Sequence, residues 1–181
     1  MASLARTGKP EVDVAKKPQH VHRTITSTKS SALTGKLEAD VEIKASPEQF
    51  HDMFANKPHH VHRACNDKVK DVICLRVSGG RSVPLSSGVL CMSKKAKELI
   101  EAVDPDKKLI TFREIEGDLL EEYKSFVITI QASPKSEGSG SVVRWTMEYE
   151  KLHRGIDHPQ TLLQLAVDIS EDIDAHLAKP N

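Results

Sequence analysis

Nowhere in the 181-residue chain do about eighteen apolar residues follow one another, which excludes a helix built to cross a bilayer. The opening stretch MASLARTGKPEVDV also lacks the apolar run of a secretory signal, so a cytoplasmic protein with no membrane insertion is expected. A dominant charge is missing too. The 26 basic and 26 acidic side chains cancel, so the fold as a whole gathers neither phosphate backbones nor acidic lipid surfaces, and nucleic acid is not an expected partner. Cysteines in C-x-x-C spacing are absent. Cys65, Cys74 and Cys91 form an odd set that suits free thiols in a reducing compartment better than a disulfide frame.

What is present is, first, a repetition. AKKPQHVHRT from Ala15 returns as ANKPHHVHRA from Ala55, and TGKPEVDV from Thr7 returns as TGKLEADV from Thr34. The matches keep their order, so the N-terminal stretch reads as a copy of 34–64 that has lost EIKASPEQFHDMF, the part that should fold. Two His-x-His pairs invite a metal reading, because alternate residues of a strand point to one side. Duplication accounts for repeated histidines without a metal, however, and nothing supplies further ligands at the spacing zinc sites use. No metal and no cofactor are expected. Residues 1–31 read as a mobile tail: they are rich in Lys, Thr, Ser and Pro, and Pro10 stands where the intact copy has Leu37, removing a ladder donor and a core side chain together.

Beyond the tail the patterning is that of a folded domain over 32–179. Leu37, Ala39, Val41 and Ile43 alternate with Lys36, Glu38, Asp40 and Glu42, which predicts a strand buried on one face. Ser46, Pro47 and Gln49 then spell a helix start with a capping box, ahead of Phe50, Met53 and Phe54. His59 to Ala64 suit a further turn or short helix. From Val69 to Val103 the pattern weakens: DVICLRV and GVLCM suit strands, SGG a turn, and SKKAKELIEAV fits a helix by propensity and a strand by its end. Clear alternation returns in LITFREIEG, SFVITIQ and VVRWTMEYE, which predict successive antiparallel strands separated by DPDKK and SPKSEGSGS. Last comes a helix of about twenty residues, capped by Asp157 or His158, with Pro159 opening it and Leu163, Ala166, Ile169 and Ile173 on one face. These elements give an α+β fold with a curved antiparallel sheet gripping a long C-terminal helix.

LTGKLEADVEIKASPEQFHDMFANKPHHV, EAVDPDKKLITFREIEGDLLEEYKSFVITIQASPK, VVRWTMEYEK and EDIDAHL resemble plant major latex proteins, within the Bet v 1 and pathogenesis-related class 10 superfamily. The resemblance implies a helix-grip fold in which two short helices close one end of a cavity that takes small hydrophobic or amphipathic molecules: steroids, fatty acids, hormones or alkaloids. It also implies a link to defence or stress. Residues 65–95 depart from the family pattern, because VSGGRSVPLSSGVLC has no counterpart of the family's Gly-x-Trp-Gly loop.

By this resemblance Phe112, Phe126, Ile128, Ile130, Trp145, Met147, Tyr149, Leu163 and Val167 become pocket walls; by patterning alone they are core. A dry void of roughly 300 Å³ costs on the order of 7 kcal/mol at about 24 cal/mol per Å³, so such a cavity holds water, a ligand or collapsed side chains. Glu114, Glu116, Asp118, Glu121 and Glu122 read as a solvated strand end, since no nucleophile–base pair stands at usable spacing. Lys124, with Tyr123 beside it, is the candidate for carbonyl chemistry if it faces the cavity. The expectation is therefore a carrier of a small hydrophobic molecule. The alternatives are an enzyme of the same fold, isomerising or condensing in the pocket, and a paralogue with a defective pocket.

Overall fold

The computed structural model describes residues 23–29, 33–65, 68, 73–78, 81–84 and 96–179. In chain order the elements are β1 (Arg23–Lys29), β2 (Thr34–Ile43), α1 (Pro47–Ala55), α2 (Pro58–Ala64), β3 (Ile73–Ser78), β4 (Arg81–Pro84), β5 (Ala96–Asp104), β6 (Leu109–Gly117), a 3-10 turn (Asp118–Glu121), β7 (Tyr123–Pro134), β8 (Ser141–Lys151) and α3 (Gln160–Leu177). The strands form one sheet in the order β1-β2-β8-β7-β6-β5-β3-β4. Every adjacent pair is antiparallel except β3 and β5, whose ladder from Ile73↔Lys97 to Arg76↔Ile100 is parallel.

Patterning explains most of this order. β2 buries Leu37, Ala39, Val41 and Ile43 and turns Lys36, Asp40 and Glu42 away from the core. α1 starts where its capping box is written: Gln49 N–H donates to Ser46 Oγ at 3.2 Å and Ser46 N–H donates to Gln49 Oε1 at 3.0 Å. Its buried side chains Phe50, Met53 and Phe54 close one end of the core. α3 lies across the concave face, burying Leu163, Ala166, Val167, Ile169, Ser170 and Ile173. Near its C-terminal end Asp174 Oδ1 accepts the backbone N–H groups of Lys44 (3.0 Å) and Ala45 (2.8 Å), tying the helix to the end of β2.

Three expectations are changed or settled. The tail expected over 1–31 gives way at 23–29 to strand β1, which pairs with β2 from Arg23↔Val41 to Lys29↔Gly35. Thr24, Ile25, Thr26 and Thr28 are β-branched, and that preference outweighs the polar composition that suggests a tail. SKKAKELIEAV resolves in favour of its end: Ala96 onward is strand β5. The start of α3 differs too. Pro159 occupies the N-cap and no side chain caps it, while the His158 ring shares a hydrogen bond with the Tyr149 hydroxyl instead. Pro84 ends β4 at the rim of the sheet, where its missing N–H is tolerated. Gly79-Gly80, the GVLCM segment and the N-terminal His-Val-His lie outside the described residues.

Candidate functional site

Four strands, β6, β7, β8 and β2, set their apolar residues in register across the sheet. Phe112 stands opposite Ile128, Ile128 opposite Met147, and Met147 opposite Leu37. A parallel row runs Ile110, Ile130, Trp145, Ala39, and a third runs Phe126, Tyr149, Gly35. Leu163 and Val167 of α3 complete the set, so all nine expected wall residues are buried in one continuous core. Phe54 meets Trp145 edge-on at 6.1 Å and Phe50 at 5.4 Å, which seals the α1 end with offset ring contacts.

At the opposite end Tyr123, Phe126 and Tyr149 form an aromatic triangle with centroid separations of 5.2, 5.5 and 6.0 Å. The Tyr123 hydroxyl donates to the Asp157 carbonyl at 2.9 Å, and burial first, then the nearby Glu122, pushes its pKa up to about 12. It is held as a neutral phenol. Burial raises Tyr149 likewise.

Lys124 does not reach the interior. A register shift between Tyr123 and Ser125 breaks the period-two parity with Phe126. The lysine therefore points outward, with 66% of its side chain exposed and Nζ 2.9 Å from Glu150 Oε1.

The acidic run divides in a way composition does not foretell. Glu121 and Glu122 are exposed, and Glu116 pairs with Lys97 at 3.3 Å on the outer surface. Glu114 instead follows Ile110 and Phe112 inward and is 6% exposed; Glu98, its partner in the β5–β6 register, is 2% exposed. Desolvation, with Asp118 adding repulsion, raises the Glu114 pKa to about 7, and its Oε1 has no hydrogen-bond partner. The signal is present in the sequence as strand parity: Glu114 shares the register of Ile110 and Phe112, and Glu98 that of Ile100.

Among the described residues, two hollows open at the surface. One of about 420 Å³ lies beside α1 and the β5–β6 turn, among Glu48, His51, Asp52, Val103, Pro105 and Lys108. Burial there holds His51 below the usual imidazole range, with Lys108 adding to the shift, so the ring is neutral. The other, of about 360 Å³, runs along β2, β7 and β8 and includes Gly35, Ser125, Val127 and Tyr149. Of the nine wall residues, Tyr149 lines the second of these hollows and none lines the first. Among the described residues, no group of three or more His, Cys, Asp or Glu is placed to hold a metal ion, and no helix is long and apolar enough to cross a membrane.

Comparison with known proteins places this architecture. The chain is 51% identical to MLP-like protein 31 of Arabidopsis thaliana over 156 residues, covering 84% of this chain and 91% of the relative. It is also 51% identical to MLP-like protein 28 of the same plant over 84% of this chain, but spans about half of that relative's length, 47%. The crystal structure of major latex-like protein 151 from Panax ginseng superposes with a TM-score of 0.66 at 32% identity, covering 80% of this chain and 97% of the ginseng chain. Residues 32–180 match the family described as the Pathogenesis-related protein Bet v 1 family. The helix-grip architecture, the similarity to MLP-like proteins and the extent of that match together establish that this chain belongs to the Pathogenesis-related protein Bet v 1 family, a family of small hydrophobic ligand binders, as one of its major latex protein-like members.

Proposed function

We propose that this chain is a cytoplasmic carrier that takes one small hydrophobic molecule, of steroid, fatty-acid, hormone or alkaloid type, between the concave face of the sheet and α3, in the service of defence or stress responses. The observation that carries the reading is the register of apolar rows across β6, β7, β8 and β2 beneath a single covering helix, in a family that binds hydrophobic ligands. Phe126, Trp145, Met147 and Val167 have essentially no accessible surface, so the walls are closed on one another. Taking up a guest parts them, and the guest's own apolar surface then covers the side chains that have separated.

The catalytic alternative has less to stand on. Lys124 is outside, paired with Glu150, and Tyr123 is committed to the Asp157 carbonyl. An apolar fluorescent probe should bind near one-to-one and be displaced by members of a steroid, fatty-acid and alkaloid panel, which are recovered unchanged. At a hundredfold excess over Kd, binding stabilises the fold by about 2.7 kcal/mol and raises Tm by roughly 5–10 °C for a domain of this size. Absence of saturable binding across the panel overturns the reading.

A further inference from the structure

The hollow beside α1 and the β5–β6 turn is lined by a side chain whose hydrogen bonding is incomplete. His51 is 9% exposed, and among the described residues Nε2 of its ring has no hydrogen-bond partner. The ring does bond to the Leu109 backbone, in the sense that favours a proton on the ring, so Nδ1 is the donor and the carbonyl the acceptor. That bond fixes the tautomer. Nε2 of the neutral ring is then a bare acceptor, and a buried acceptor without a donor is costly. The neighbouring side chains are engaged elsewhere. Lys108 Nζ donates to the Pro105 carbonyl at 2.6 Å and lies 3.8 Å from Glu48, while Asp52 takes its donors from Lys57 and Asn56 at 2.8 and 2.7 Å. Their charges oppose one another at the ring, Lys108 disfavouring its protonation and Asp52 favouring it. A guest of either sign therefore gains little there, whereas a neutral donor gains the bond. Ala55, Val103 and Pro105 supply apolar surface for its body, and a volume of about 420 Å³ suits a small molecule.

We propose that this hollow is a second binding site, separate from the interior, that takes a small phenol: the hydroxyl donates to His51 Nε2 and the ring lies against Val103 and Pro105. None of the nine interior wall residues lines the hollow, so the site does not depend on the carrier reading. A phenol suits it better than an aliphatic alcohol, because a phenolic hydroxyl titrates near pH 10, as tyrosine does, and is the stronger donor while still neutral at physiological pH. A phenyl methyl ether has the same ring and no donor. A benzoate ion brings a charge and no donor either. Nε2 has almost no accessible surface, so the guest reaches it by pushing aside flexible side chains at the mouth, Lys108 and Glu48, which face each other across 3.8 Å.

The test follows the full chain by NMR, which separates binding at this hollow from binding in the interior. The ring nitrogens of His51 and the backbone amides of Val103 and Lys108 are monitored while 4-ethylphenol, 4-ethylanisole or the 4-ethylbenzoate ion is added at pH 7.5. 4-Ethylphenol should shift these signals saturably, move the Nε2 resonance in the direction of an accepted hydrogen bond, and bind about three- to tenfold tighter than 4-ethylanisole, with 4-ethylbenzoate weakest. In His51→Phe the preference for phenol over ether, read at the two amides, should fall to about twofold or less. Ala55→Phe fills the hollow from α1, leaves His51 in place and should abolish the shifts from all three probes; it decides the matter if His51→Phe does not fold. Equal binding of phenol and ether here, benzoate binding tighter than phenol, a preference that survives without His51, or shifts that persist in Ala55→Phe overturns the inference. So does silence at these signals while the probes bind elsewhere, an outcome that leaves the carrier reading intact.

Discussion

Trp145 Nε1 donates to Ser170 Oγ at 2.8 Å, and neither residue has accessible surface. The bond joins the middle of β8 to the middle of α3 within the buried core. The Ser170 hydroxyl in turn donates a hydrogen bond to the Ala166 carbonyl at 3.0 Å, so the indole, the hydroxyl and the helix backbone form a satisfied chain. An indole in such a place needs its acceptor. Ser170→Ala should therefore lower stability by about 1–3 kcal/mol, because it strands the Trp145 N–H. On a Trp145→Phe background the same change should cost less, since no donor remains to be stranded. Urea unfolding of the four chains of this double-mutant cycle measures the difference; equal costs on both backgrounds would remove the bond from the account of stability.

A second relationship fixes a glycine. A Cβ at Gly35 would stand 2.4 Å from the Tyr149 hydroxyl oxygen and 2.5 Å from the ring carbon that bears it, closer than any real contact. The two residues are cross-strand partners in the β2–β8 ladder, so the ring lies flat across the strand that faces it. Gly35→Ala should destabilise by about 1–3 kcal/mol through overpacking. Tyr149 cannot swing away freely, because its hydroxyl is bonded to His158. Truncating the ring with Tyr149→Ala should make the two changes less than additive, as thermal melts of the single and double variants will show.

Where alternation is strict, the pattern specifies the fold to the residue: Leu37 to Ile43, Phe126 to Ile130 and Val143 to Tyr149 all lie on the faces their parity predicts. The capping box at Ser46 forms as written. Parity fails where the backbone departs from the strand period. One irregularity after Tyr123 is enough to send Lys124 outward, and bulges cannot be counted from side-chain types alone. β1 is hidden in the sequence for a different reason. Its threonines are polar by composition yet β-branched by shape, and its place at the sheet rim needs only ladder hydrogen bonds to Gly35 through Val41. The site is half visible. Its apolar rows follow from periodicity, whereas the inward turn of Glu114 is masked by the four acidic neighbours at 116, 118, 121 and 122, whose composition reads as solvent-facing.

The apolar walls give a prediction that separates packing from binding. Ile128 lies between Phe112 and Met147 in one cross-strand row and is 3% exposed. Ile128→Ala should cost about 2–5 kcal/mol, with the larger values reached if the neighbours do not collapse into the space. If the row is also a ligand wall, a bound apolar probe should restore more stability to the variant than to the natural chain, because it fills volume that the side chain gave up. Tm measured with and without probe reads both effects. Equal probe-induced shifts in the two chains would assign Ile128 to packing alone.

The last prediction concerns Glu114 and pH. Its pKa in the folded chain is about 7, against an ordinary value of 4.5, with burial the first cause and Asp118 the second. Between those two pH values the folded chain keeps a proton that the unfolded chain has released. Stability from this group is thus greatest at acidic pH, declines as pH rises through the window from about 4.5 to 7, and stays at its low level above it. The whole change is no more than about 3 kcal/mol. Glu114→Gln has no charge to bury, so its stability relative to the natural chain should rise across that window and end higher at pH 8. Chemical denaturation of both chains at pH 4.5, 6 and 8 isolates the contribution, since all other titrating groups are common to the pair. A constant difference at the three pH values would mean that Glu114 ionises inside the fold as it does in water, and that its neighbours already supply the solvation that burial removes.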